Sequence, residues 1–133
     1  MATKARVEGF LIEFKRWAAT EEGIHAVALV GSHARNTATF ESDVDLIVVT
    51  SLPNIYLEYT QWTSLFGSVI RDQQEHYGNC TSLRVWYDEG IEVEYGFVEE
   101  SWAALPLNEG TRRVVAAGMK ILFERKPLLS ILD

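Results

Sequence analysis

Two carboxylates two positions apart are the residues of this chain whose spacing points most directly to chemistry. Asp43 and Asp45 open an apolar, β-branched run, residues 46–49, that is predicted to be a buried strand. Because side chains alternate along a strand, both carboxylates are expected on the same face, side by side. Such a pair binds hard divalent cations such as Mg²⁺ through oxygen. Beside so apolar a run, the two charges would also suffer desolvation and mutual repulsion, which a bound cation relieves.

The stretch just before these carboxylates is suited to binding phosphate. Residues 24–30 form a short apolar run that is predicted to be a buried strand, and Gly31 and Ser32 end it. Ser32 is a favourable helix N-cap, and one helical turn is predicted over residues 33–35. The free backbone N–H groups at the start of a helix bind phosphate. Together with the paired carboxylates, the stretch predicts a site for a metal-bound polyphosphate.

Each half of this pattern also has a purely structural interpretation. A Gly-Ser pair before a helix is usually a turn and a cap, and an Asp-x-Asp pair is usually a solvated strand start. Arg35 can reach a phosphate, but an arginine on an exposed helical turn is more often a plain surface residue. The combination of both halves within residues 31–45 favours the binding site.

The same stretch resembles the signature of the polymerase-β-like nucleotidyltransferase superfamily, and its context resembles the small bacterial members. That signature is Gly-Ser, a spacer and Asp-x-Asp, and residues 33–42 give the spacer the length that the superfamily has. Asn36 stands where many relatives have glycine, and asparagine tolerates the left-handed backbone that glycine adopts. The resemblance covers residues 24–50 and extends to residue 98.

This resemblance implies a reaction and a set of site residues. Nucleotidyl transfer joins an acceptor oxygen to the α-phosphorus of a nucleoside triphosphate, and two metal ions about 4 Å apart can neutralise the attacking and leaving oxygens. By resemblance, Asp43 and Asp45 are the shared metal ligands, Mg²⁺ is the cofactor and ATP is the expected donor. Gly31, Ser32 and Arg35 are expected to bind the phosphates of the nucleotide.

The superfamily also uses a third carboxylate on a neighbouring strand, which completes the metal site or takes the proton of the acceptor. Glu92 and Glu94 are the candidates, and they share one face of a predicted strand. Polar residues on a half-exposed strand give the same pattern without any function. Glu94 is preferred because the context of residues 93–96 resembles the small relatives, and Glu92 stays open as the alternative.

Hydrophobic periodicity predicts the elements that position these residues. An apolar stripe predicts a helix over residues 4–20 that packs on one side of a sheet. A second helix is predicted from Pro53 to Gly67. With the short strands, this pattern predicts an α/β (α+β) fold with a mixed sheet, and the resemblance implies the palm-like nucleotidyltransferase form of it. The stripe of the second helix is interpreted as core rather than as a base-stacking surface: Ile55, Tyr59, Trp62 and Phe66.

The second half of the chain is predicted to contain a β-hairpin. Alternating patterns predict strands over residues 81–87 and 91–98, joined by a turn at residues 88–90. Residues 68–79 follow no single period and are interpreted as surface with a loop at their end. The remaining predictions are a short helical piece at Trp102, two short strands at residues 114–115 and 121–123, and an apolar tail from Leu128 to Leu132.

Composition limits the class of protein. The 133 residues are expected to form a single domain, residues 1–133, and 47% hydrophobic residues are typical of a globular chain. The net charge of −7 argues against nonspecific nucleic-acid binding, but a nucleotide can bring its own metal cation. The single Cys80 excludes an internal disulfide. Without a signal peptide or a membrane-length apolar run, the protein is expected in the cytoplasm, with no membrane partner.

Three functional hypotheses follow. The first is an enzyme that moves a nucleoside monophosphate from ATP to a hydroxyl group of a small molecule or of a protein side chain. The alternative is the antitoxin of a minimal nucleotidyltransferase and toxin pair, which acts by binding its partner or by nucleotidylating it. The third, a degenerate fold without turnover, is disfavoured by the intact motif. The acceptor site is expected to come from a second copy in a homodimer, from a partner protein, or from the short C-terminal segment.

Overall fold

The computed structural model describes residues 3–39 and 42–132. Within these residues six strands form one sheet, in the order β3-β4-β5-β2-β1-β6. The strands are β1 Ile24–Val30, β2 Val44–Thr50, β3 Val69–Tyr77, β4 Cys80–Tyr87, β5 Glu92–Val98 and β6 Lys120–Glu124. The helices are α1 Lys4–Thr20, α2 Gly31–Ala34, α3 Pro53–Glu58 and α4 Glu109–Ala117, with 3-10 turns at Thr60–Phe66, Asp88–Gly90, Glu100–Ala103 and Ser130–Leu132.

The sheet is mixed, as the sequence predicted. Its central strand β2 is antiparallel to β1 and parallel to β5, while β3, β4 and β5 form an antiparallel meander. The parallel register sets Asp45 opposite Glu94, and the antiparallel register sets Arg84 of β4 opposite Glu94. Three charged side chains of three adjacent strands therefore lie in one row across the sheet.

One face of the sheet is buried under α1 and the segment that contains α3. Thr3 caps α1, because its side chain accepts a hydrogen bond from the backbone N–H of Arg6 at 3.0 Å. Phe10 and Phe14 on the inner side of the helix are fully buried, and each contributes about 2–3 kcal/mol of hydrophobic stabilisation. The predicted helix over residues 4–20 and its packing on the sheet are confirmed.

The opposite face of the sheet is covered only in part, by the C-terminal segment. Trp102, Ala103 and Leu129 pack there on the small apolar side chains of β1 and β2. Asp45 and Glu94 project from this second face, at the edge of the apolar cover. No helix within residues 3–39 and 42–132 combines the length and the apolar character that a bilayer crossing needs.

The second predicted helix is shorter than expected, and the prediction that its apolar stripe belongs to the core is wrong for two of the four residues. The α-helix α3 ends at Glu58, and a 3-10 turn follows over Thr60–Phe66. Since a 3-10 turn advances fewer residues per turn than an α-helix, the stripe cannot stay on one side through both. Ile55 and Tyr59 are 49% and 63% exposed, whereas Trp62 packs against the core and Phe66 is buried.

In the second half of the chain one strand was not predicted and one prediction is wrong. Residues 69–77 lie at the surface and a two-residue turn follows at residues 78–79, as expected, but residues 69–77 form the edge strand β3, which was not predicted from the sequence. An edge strand with both faces largely exposed lacks the alternation that identifies strands. Residues 114–115 lie in α4, which Asn108 caps by accepting from the N–H of Thr111 at 2.9 Å, whereas residues 121–123 form a strand as predicted.

Candidate active site

The structure brings three carboxylates together at one end of the central strands. Asp45 is the second residue of β2 and Glu94 the third residue of β5, and Asp43 immediately precedes β2. Carboxylate oxygens of all three lie within 4.8 Å of one another. The side chains are partly accessible, 32% for Asp43 and 18% for Glu94. The cluster is thus open to solvent on one side, as a site that exchanges ligands must be.

A glycine makes room for this cluster. Gly31, the first residue of α2, has φ +73°, a left-handed conformation that side chains rarely adopt. A Cβ on Gly31 would lie 2.3 Å from Oδ2 of Asp45, far inside van der Waals contact. The turn that follows β1 therefore reaches the carboxylate only because residue 31 has no side chain.

The helical turn after β1 exists, but it begins earlier than predicted. The helix α2 starts at Gly31 with Val30 at the N-cap position, so the prediction that Ser32 is the N-cap is wrong. Arg35 is the C-cap residue, and its N–H donates to the carbonyl oxygen of Gly31 at 3.3 Å. Because the helix begins two residues earlier than predicted, Ser32 lies inside the helix rather than at its boundary.

A cavity of about 780 Å³ lies on the second face of the sheet, between the carboxylates and α4. Gly31, Arg35, Asp45 and Glu94 line it, whereas Ser32 and Asp43, two other predicted site residues, are not among its lining residues. Its volume is that of sites for drug-sized ligands. The far wall comes from the hairpin tip between β3 and β4 and from the C-terminal segment, including Tyr77, Asn79, Cys80, Trp102, Thr111, Arg113 and Val114.

Sequence reasoning missed Arg84, which contacts the carboxylates most directly. Its Nη2 donates to Oε2 of Glu94 at 2.6 Å, and its Nη1 donates to Oδ2 of Asp43 at 2.9 Å. Nη1 also donates to Glu92, and Nε donates to Oε1 of Glu75 at 3.0 Å. The signal was present in the predicted hairpin, because a turn at residues 88–90 places Arg84 opposite Glu94.

The two candidates for the third carboxylate occupy different places. Glu94 shares the cluster with Asp43 and Asp45. Glu92 lies two residues earlier on β5, outside the cluster, and pairs with Arg84. Both side chains share one face of β5, as predicted. In the parallel register with β2, Glu94 lies opposite Asp45, whereas Glu92 precedes the first paired residue of β5.

Burial and crowding change the charge of the site. Burial, the charges of Asp43 and Glu94 and a hydrogen bond with Asp43 raise the pKa of Asp45 to about 7, although Arg84 opposes the shift. Burial lowers the pKa of the Arg84 guanidinium, but its bonds with Glu92, Glu75 and Asp43 and the charge of Glu94 outweigh burial and raise it. A bound cation would favour the ionised form of Asp45 and so oppose this shift of its pKa.

Comparison with known proteins agrees with this geometry. The family model of the nucleotidyltransferase domain matches residues 11–97, which contain α2, the three carboxylates and Arg84. The chain belongs to this family of nucleotidyltransferases, and the predicted family is confirmed. No curated protein sequence matches the chain.

The chain is similar to solved structures at low sequence identity. An aminoglycoside 6-adenyltransferase from Bacillus subtilis is 19% identical over 77% of this chain and 37% of that chain, with a TM-score of 0.58. A CCA-adding enzyme in an apo form is 13% identical over 72% of this chain and 21% of that chain, with a TM-score of 0.46. This chain thus spans well under half the length of either protein.

Proposed function

We propose that the chain transfers a nucleoside monophosphate from ATP to a hydroxyl group, with Mg²⁺ as its cofactor. The observation that carries this proposal is the cluster of Asp43, Asp45 and Glu94 next to Gly31, two members of which, Asp45 and Glu94, line a cavity large enough for a nucleotide. The family match supports the reaction class.

The donor set fits a hard divalent cation. All three candidate ligands are carboxylates, the oxygen donors that Mg²⁺ and Mn²⁺ prefer. A bound cation would counter the burial and the neighbouring charges that raise the pKa of Asp45. When bound, the metal would neutralise charge on the attacking and leaving oxygens of the phosphoryl centre.

Binding of the triphosphate and removal of the acceptor proton are assigned to residues of the chain. Gly31, Ser32 and Arg35 are proposed to hold the triphosphate, supported by the position of Gly31 and Arg35 in the cavity wall. The acceptor oxygen attacks the α-phosphorus and forms the new P–O bond, the bond to the bridging oxygen breaks, and pyrophosphate leaves. Glu94 is proposed to take the proton of the acceptor hydroxyl.

ATP is the proposed donor, and the acceptor is a small molecule or a protein side chain. The name of the structural neighbour from Bacillus subtilis, an adenyltransferase, supports an adenylyl donor. The C-terminal wall of the cavity, with Trp102, Thr111 and Val114, is the proposed acceptor side. Four further points stay predictions: a homodimer, a toxin partner, a single domain over residues 1–133 and a cytoplasmic location.

Label transfer tests the proposed reaction. The protein is incubated with Mg²⁺, a cell extract and ATP labelled with ³²P at the α or the γ position. We expect label in one acceptor from α-labelled ATP alone, with pyrophosphate released, and loss of labelling in Asp43→Asn. Labelling from γ-labelled ATP would indicate a kinase, and equal labelling by Asp43→Asn would contradict the assigned site.

A further inference from the structure

We propose that Arg84 is a built-in counter-ion of the acidic site, which holds Asp43 and Glu94 in the metal-free protein and releases both when a metal binds. This inference rests on the proposed role of the three carboxylates as metal ligands. In this role Arg84 binds neither the phosphates nor the acceptor, and it controls the affinity of the site for the metal.

The geometry of Arg84 supports this role. One guanidinium contacts four carboxylates on three parts of the sheet: Glu75 of β3, Glu92 and Glu94 of β5, and Asp43 before β2. Its side chain is only 19% exposed, so little water competes for these bonds. The arginine fork thus fixes the carboxylates in place when no other cation does so.

The four partners of Arg84 fall into two pairs. Asp43 and Glu94 belong to the proposed metal cluster, whereas Glu75 on the edge strand β3 and Glu92, two residues before Glu94 on β5, lie outside it. The guanidinium can therefore give up the inner pair and keep the outer pair. This arrangement lowers the cost of release, because the buried charge retains two ionised partners throughout.

Charge explains why Arg84 and a metal compete. The four partners and Asp45 carry five negative charges when ionised, and the one positive charge of Arg84 leaves −4 within this group (−5 + 1). Oδ2 of Asp43 and Oε2 of Glu94 are held by Arg84, although a metal would need oxygens of the same carboxylates. A divalent cation and a guanidinium on the same carboxylates repel each other at close range.

A direct role for Arg84 in holding phosphate is less well supported. The guanidinium of Arg84 donates four hydrogen bonds to carboxylates, so an incoming phosphate would have to compete with these carboxylates for its N–H groups. Arg35, in contrast, lies in the wall of the cavity. The site already has an arginine better placed for the triphosphate.

Mn²⁺ binding without nucleotide tests the inference, measured by electron paramagnetic resonance at pH 8 on the full chain. Arg84→Met should bind Mn²⁺ at least about tenfold more tightly than the wild type, because a cation at close range is removed. Without metal the same variant should melt at a lower temperature, and Mn²⁺ should raise its Tm more than it raises that of the wild type. A merely structural arginine would lower Tm without raising metal affinity.

Arg71→Met is the matched control. Arg71 lies on β3, and its guanidinium stacks 3.9 Å from the centre of the Trp86 ring. The substitution removes the same charge from the neighbouring strand, and it should leave Mn²⁺ affinity within about twofold, since its interaction with the site is screened by solvent. Arg84→Lys keeps the charge but loses the fork, so its affinity should lie between those of the wild type and Arg84→Met.

The outcomes separate this inference from the proposed function. Mn²⁺ binding by the wild type with equal or weaker binding by Arg84→Met overturns the counter-ion role alone. If Arg84→Met does not fold, equal or weaker binding by Arg84→Lys overturns it in the same way. Absence of Mn²⁺ binding in the wild type and in both variants overturns the metal site and, with it, the inference. Unchanged Mn²⁺ affinity with weakened triphosphate binding would make Arg84 a phosphate contact.

Discussion

Asp45 depends on the size of one neighbour and on the charge of two others. Gly31 leaves space for its Oδ2, and Asp43 and Glu94 place negative charge beside it. A carboxyl group in such surroundings favours its protonated form, which explains why its pKa is raised to about 7. The proposed chemistry requires Asp45 to be ionised, and its ionised form therefore destabilises the metal-free protein.

The first prediction concerns stability and pH without metal. The pKa of Asp45 rises from 3.8 in the unfolded chain to about 7 in the folded protein, so the folded state binds the proton more tightly. Ionisation of Asp45 therefore costs stability, from about pH 4 upward and in full above about pH 7. In EDTA at pH 8, Asp45→Asn should be more stable than the wild type by about 1–2 kcal/mol after allowance for solvent screening.

Urea denaturation at several pH values measures this effect. The difference between Asp45→Asn and the wild type should shrink as the pH falls from 8 toward 4. Asp72→Asn, an exposed aspartate on β3, is the control and should follow the wild type at each pH. A variant Asp45→Asn that is less stable than the wild type at pH 8 would contradict the raised pKa.

The second prediction separates the two glutamates of β5. A general base acts in the chemical step, so Glu94→Gln should slow nucleotidyl transfer by a factor on the order of 10². Its affinity for the nucleotide should change less than in the Asp43 and Asp45 variants. Glu92→Gln should slow transfer much less, since Glu92 pairs with Arg84 outside the carboxylate cluster. Single-turnover kinetics with the labelled acceptor provide the comparison, and a slower Glu92→Gln than Glu94→Gln would exchange the two roles.

At the scale of elements, the predictable parts were those with a clear apolar pattern. The helix α1 and the hairpin of β4 and β5 have regular apolar periods because each packs one side on the core, whereas β1 and β2 are continuous apolar runs because both of their faces are buried. The edge strand β3 lacks such a period, since exposed surfaces place few demands on residue type, and the helix α4 is a short element with a single buried residue, Thr111. The C-terminal wall of the cavity could not be predicted for this reason.

The third prediction tests that wall. Asn108 accepts a hydrogen bond from the N–H of Thr111 at 2.9 Å and so caps α4. Asn108→Ala should destabilise the helix by about 1 kcal/mol. Because α4 lines the cavity but lies outside the carboxylate cluster, the variant should weaken binding or transfer of the acceptor and leave Mn²⁺ affinity unchanged.

Urea denaturation and Mn²⁺ titration of Asn108→Ala together give the answer. Asn54→Ala serves as a comparison at an early position of α3, on the other side of the sheet. A loss of Mn²⁺ affinity in Asn108→Ala would mean that α4 supports the metal cluster as well as the cavity.

At the scale of the whole molecule, the two faces of the sheet have separate roles. One face is closed by aromatic packing around Phe14 and Trp62 and gives the fold its stability. The other face presents the acidic cluster and the cavity, and the family match ends at residue 97, before α4 begins. The motif predicted the shared part of the site. The position of Arg84 opposite Glu94 follows from the pairing of the predicted hairpin, whereas the C-terminal wall depends on the path of the chain, which no local pattern contains.

The central claim is that Asp43 and Asp45 bind a metal-bound triphosphate, and calorimetric titration with Mg²⁺ and a non-hydrolysable ATP analogue tests it most directly. Asp43→Asn and Asp45→Asn should each weaken binding at least about tenfold, because each removes a charged oxygen ligand. Asp72→Asn should bind like the wild type, and matching circular dichroism spectra must show that every variant is folded. Binding of the analogue by both Asp43→Asn and Asp45→Asn with wild-type affinity would contradict the claim.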